Sequence, residues 1–244
     1  MKKYVRNLML AGAAAIGLYN LPSAYRMIRT PEIIETKQVE GIELSTERTI
    51  SKHPFLKPLD EILLDRSGSN YTEIVNGKIR CHVNLSSIEM GVDHILESYR
   101  DCGKERCGFR DTLIYNISQR RGCKTPNELR EVLIDELRKA TEVHEEYGHG
   151  KHPEYIVAPP SADQTRFRTR SETIAYSEEL KAYPHITLLI LEEYRDVGPK
   201  IYRDVAEDIF RRLKPYGTVW QLADKSNDDL SKIAQNISIY EKNQ

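Results

Sequence analysis

A chain of 244 residues is long enough to bury one substantial core. Its 36 basic and 37 acidic side chains leave a formal net charge of −1, which removes the general electrostatic case for a nucleic-acid partner, because such a partner calls for a basic face. With 39% hydrophobic and 30% charged residues, the body reads as soluble and globular.

The N-terminus departs from that average. Lys2, Lys3 and Arg6 precede an uncharged apolar run from Leu8 to Leu18. This arrangement predicts a signal peptide or N-terminal membrane anchor over residues 1–24, and the run is shorter than the roughly 20 residues of a spanning helix. The rest of the chain is then expected to be secreted or membrane-anchored, outside the cytoplasm. Pro31, Pro54 and Pro58 interrupt residues 25–60, which read as an extended arm or tether, and residues 61–244 as the globular domain.

Tyr71–Val75 and Lys78–Leu85 flank Asn76-Gly77, a strong hairpin signal. Ser86, with Glu89 three residues on, predicts a helix through about Tyr99. Cys81, Cys102, Cys107 and Cys123 cluster around this region, and an even count in an exported chain suggests two disulfides of unresolved pairing. Their spacing lacks the close pairs of structural zinc sites. A short helix should end at Gly122.

The clearest helix starts at Thr125, an N-cap followed by Pro126 and by Glu128 as its capping-box partner. Leu129, Val132, Leu133, Leu137, Ala140, Val143 and Tyr147 form one apolar stripe, ended by Gly148 and Gly150. Residues 152–170 read as loop or short strand, with Arg166, Arg168 and Arg170 binding an anionic group, lining a substrate cleft or lying solvated on an edge strand. Ser171 is expected to cap a helix to about Tyr183, Pro184 to break it, and an apolar helix to follow. Pro199 opens a further helix, and Ser226 the last. The fold class is α+β, mainly α-helical, with a small antiparallel β element.

Glu145 and His149 lie four residues apart, on one helix face roughly opposite the apolar stripe. A carboxylate from Glu172, on the following helix, would complete a three-ligand metal set with an open fourth position, and Glu146 would act as general base. On this reading Glu145, His149 and Glu172 hold the metal, with His144 and His152 as alternative ligands. His185 and Tyr216 are candidates for stabilising an oxyanion. The opposite reading makes Glu142, Glu145, Glu146 and His149 a solvated polar face, with Arg138 pairing to Glu142.

The motif pair Glu145-Glu146-Tyr147-Gly148-His149 and Glu172-Thr173-Ile174-Ala175-Tyr176 resembles the gluzincin branch of zinc metallopeptidases, which carry His-Glu-x-x-His on one helix and Glu-x-x-Ala-Asp or a variant on the next. The resemblance covers roughly residues 71–195 and implies a zincin-like domain that hydrolyses peptide or protein substrates with zinc. The chain departs from the pattern at its first ligand. Glu145 stands where the family has histidine, and His144 is one residue early, about 140° away from His149 on a regular helix. Either Glu145 replaces a ligand, or a π-bulge lets His144 and His149 chelate together, or the site is dead. A Glu/His/Glu set would be less selective for zinc and open to manganese or iron. The alternative function is a catalytically inactive, disulfide-stabilised helical domain that binds a partner at the cell surface.

Overall fold

A computed structural model describes residues 32–48, 70–99, 108–156 and 163–237. The N-terminal apolar run, Cys102 and Cys107 lie outside the described residues. Among the described residues no helix is long and apolar enough to cross a membrane.

Four strands form one sheet: β1 (Glu32–Val39), β2 (Ile42–Arg48), β3 (Tyr71–Val75) and β4 (Lys78–Asn84), in the order β1-β2-β4-β3. The β3–β4 hairpin turns at Asn76 and Gly77, both with positive φ (52° and 76°), as a two-residue hairpin turn requires. The sheet is mixed rather than antiparallel, because β2 pairs in parallel with β4, Leu44 opposite Cys81. Residues read from sequence as an arm therefore supply half of the sheet, and Ile42 and Leu44 are buried in the core. Parallel pairing is a long-range contact that prolines on either side do not disclose.

Helix α1 (Leu85–Glu97) is capped by Asn84, whose side chain accepts from the Ser86 and Ser87 amides, in place of the expected Ser86 cap. Helix α2 (Phe109–Arg121) ends at left-handed Gly122. Helix α3 (Pro126–Val143) starts on the expected capping box, Thr125 with Glu128. Helices α4 (Gln164–Ala182) and α5 (Pro184–Val197) meet at Pro184, followed by α6 (Lys200–Leu213), α7 (Val219–Ala223) and α8 (Asn227–Asn236). In α5, Ile186, Leu188, Leu189 and Leu191 are all buried, so it forms the centre of the bundle. The architecture is α+β and mainly helical.

Cys81 and Cys123 are free thiols. Cys81 is enclosed in β4, where its Sγ lies 3.3 Å from both the Thr72 hydroxyl and the Glu145 carbonyl, and burial pushes its pKa up to about 12. Such a thiol is inert.

Candidate metal centre

Beyond Val143 the helix changes its winding. His144–Gly150 is a π-helix, with the Lys151 amide donating to the Glu146 carbonyl five residues back. A step of five brings His144 and His149 to the same side, which an α-helix forbids. Their rings pack edge to face with centroids 5.0 Å apart. Of the three alternatives left open by the sequence, the bulged one describes the backbone.

What holds the π turn in place is a close approach. A Cβ on Gly148 would fall inside 3.0 Å of both the Cα and the Cβ of Ala175 in α4. Only glycine lets the two backbones sit this near, and only a small residue at 175 receives it. Behind the turn, a Cβ on Gly150 would meet Ile42 Cδ1 at 2.9 Å, so the sheet presses on the other end.

That approach places Glu172 of α4 over the histidine pair. His144 Nε2 lies 3.3 Å from one Glu172 oxygen and His149 Nε2 lies 3.8 Å from the other. The opposite ring nitrogens are also engaged. His144 Nδ1 is 3.1 Å from Glu179 Oε2, and His149 Nδ1 is 3.1 Å from the Ser171 hydroxyl. Ser171 is thus an interior residue of α4 that orients a histidine, whereas the expected cap role belongs to Asp163, which accepts from the Thr165 and Arg166 amides. Glu172, Tyr176 and Glu179 share a face of α4, and the Tyr176 ring packs edge to face on His144 at 4.4 Å.

Glu145 lies beside the pair: His144, Glu145 and His149 offer ligand atoms within 4.8 Å of one another. Its carboxylate accepts a 2.7 Å hydrogen bond from the Thr72 hydroxyl on β3. Glu146 is buried too but faces elsewhere. Its surroundings are Tyr147, Lys151, Glu40 and Glu142, and its Oε1 has no hydrogen-bond partner among the described residues. His152 pairs with Glu154 at 3.2 Å outside the cluster. The expected Arg138–Glu142 pair forms at 2.7 Å, but the face is not solvated: the Glu142 and His149 side chains are each 13% exposed, and Glu145 and Glu146 are only 4% and 6% exposed.

Burial shapes the electrostatics. It pushes Glu145 up to about 7, against the lowering influence of His144 and Thr72. Burial, then the charge of His144, holds His149 down to about 4. His144 moves up instead: burial opposes its charge, but hydrogen bonds to Glu172 and Glu179 outweigh that. Glu172 is pulled below its usual range despite burial, by His144 first, then His149 and Arg168. Two buried carboxylates, Glu145 and Glu179, and the half-buried Glu172 thus converge on two imidazoles with no lysine or arginine in hydrogen-bond contact among the described residues. Such a set is costly without a further cation.

Two other candidates take no part. The ring nitrogens of His185 are used by Asn227 and by the Ala223 carbonyl, 3.1 Å away. Tyr216 sits exposed on a 3-10 turn after α6. Besides Tyr176, which packs on His144, the charge of Glu172 also reaches Tyr202 of α6, stacked on Tyr194 at 4.8 Å, and is the chief cause of its raised pKa. Nothing in the sequence separates it from the chain's 13 other tyrosines. Comparisons of the chain with protein-family models, with curated proteins and with solved structures give no match.

Proposed function

We propose that this protein is a metallohydrolase acting on peptide bonds, with the metal held by His144, His149 and Glu172. The observation that carries the reading is the pair of Nε2 atoms at the two oxygens of one carboxylate, each ring anchored through its Nδ1. A histidine whose far nitrogen is held by a carboxylate is the usual support of a metal ligand. Two imidazoles and one carboxylate suit zinc first, with manganese and iron as competitors.

The assignment moves two roles by one residue. His144 takes the first ligand position expected of Glu145, and Glu145 takes the general-base position expected of Glu146. A divalent ion in this set would supply Lewis acidity toward a water or a carbonyl oxygen. Glu145, one residue beyond a ligand and fixed by Thr72, accepts the proton of the attacking water and returns it to the leaving amine. The Tyr202 hydroxyl stays protonated and offers a hydrogen-bond donor to developing negative charge. The basic and apolar N-terminal run supports a secreted or membrane-tethered location.

Metal analysis of protein purified without chelator tests this directly. One ion per chain is expected, lost in His144→Ala and in His149→Ala. Wild-type protein that neither carries nor takes up zinc, manganese or iron refutes the proposal.

A further inference from the structure

The basic run Arg166 to Arg170 lies within the first turns of α4, not on an edge strand. Arg168 precedes Glu172 by four residues, so the two stack on one face about 6 Å apart along the axis. That stripe continues inward through Tyr176 and Glu179, which touch His144. Arg168 is therefore the next group outward on the wall that carries Glu172. Arg166 points about 160° away from it, two residues earlier.

Arg168 is exposed, and no carboxylate pairs with it among the described residues. Most other arginines of the helices are differently placed: Arg110, Arg121, Arg130, Arg138, Arg195, Arg211 and Arg212 each hold an acidic partner. One turn before Glu172 on the same face of α4, Arg168 stands at the edge of the space that Glu172 borders. The carboxylates of Glu145, Glu172 and Glu179 border that space and repel an acidic ligand. A guanidinium at the rim offsets this, and its planar fork matches a carboxylate with two hydrogen bonds.

We propose that Arg168 receives a substrate carboxylate, so that the site selects peptides carrying an acidic group close to the scissile bond. This rests on the metallopeptidase reading above. The carboxylate comes either from an acidic side chain or from a free chain end, and the two sources are separable.

The test is equilibrium binding of fluorescently labelled hexapeptides to the full chain loaded with zinc. One pair differs by Glu or Gln at a central position, with amidated ends; a second, neutral in its side chains, differs by a free or amidated C-terminus. Wild type is expected to bind the acidic member of one pair about tenfold more tightly, in line with a charge-assisted hydrogen bond at a wet rim. Which pair responds names the source. Arg168→Gln should erase the preference by weakening binding of the acidic member, Arg168→Lys should keep part of it, and Arg166→Gln should keep all of it. Equal binding within both pairs, a preference that survives Arg168→Gln, or no peptide binding at all overturns the proposal. Metal content and hydrolysis of a neutral peptide by the same preparation report separately on the metallopeptidase reading.

Discussion

Gly148→Ala is the smallest change aimed at the packing that builds the site. The added methyl would fall inside 3.0 Å of Ala175 Cα and Cβ, whereas carbon atoms in contact settle at roughly 3.5–4.0 Å. The π turn and α4 must therefore separate by at least about 0.5 Å, which is about the tolerance of a preorganised ligand set. Overpacking of this kind costs roughly 1–3 kcal/mol. For a domain of this size that corresponds to a melting temperature lower by about 2–12 °C. Because His144 and His149 ride on the turn and Glu172 on α4, zinc affinity should fall along with stability, by roughly the 10–100-fold typical of disturbed ligand support. Calorimetric melts of the metal-free protein and competitive zinc titration measure the two effects. Adding Ala175→Gly should recover little, since the Ala175 Cα itself is in the way. A Gly148→Ala protein with wild-type melting and wild-type zinc affinity would refute the idea that this contact sets the site.

Other substitutions probe single atoms. Glu179→Gln weakens the support of His144 and should cost about 10–100-fold in zinc affinity by competitive titration, with the fold intact by circular dichroism. Glu145→Gln should keep the metal while peptide hydrolysis drops by about 10²–10⁴-fold; loss of metal instead would make Glu145 a ligand. Thr72→Val keeps the shape of the side chain but takes away the hydroxyl from Glu145, at a cost of about 1–3 kcal/mol in chemical denaturation of the metal-free protein. On the sheet, burial opposes charge on His82, but Glu47 at 2.6 Å and Glu73 at 3.3 Å raise its pKa above the usual value. Its contribution, about 1 kcal/mol, is therefore complete below the unfolded value near 6.5 and fades as pH rises through the folded one. The gap in melting temperature between wild type and His82→Gln should shrink from pH 5.5 to pH 9, and a constant gap would contradict this.

Local chemistry made some of this legible and long-range packing hid the rest. The Asn76-Gly77 turn and the Thr125–Glu128 cap are decided by residues next to each other, and both form where expected. Glu172 was also readable, because Glu172-x-x-Ala175 follows the histidine segment as a carboxylate-bearing helix motif. The π turn was not, since its winding depends on Gly148 meeting a helix 27 residues further on. Ser171 has the composition of a cap, but Asp163 offers the same service eight residues earlier, and the apolar positions of α4 do not distinguish the two. The β1–β2 hairpin escaped notice because its parallel partner, β4, lies more than thirty residues away.

The extra residue of the π turn also has a consequence for chain length. Removing Glu146 leaves His144, Glu145, Tyr147, Gly148 and His149 in succession. The two histidines are then four residues apart, a step that an ordinary α-helix already brings to one face. The surplus residue is thus dispensable for pairing the imidazoles, and what it adds is a second buried carboxylate, Glu146, directed toward Lys151 and Tyr147. A Glu146-deleted chain that still takes up one zinc would locate the purpose of the insertion on that far side of the turn, away from the metal.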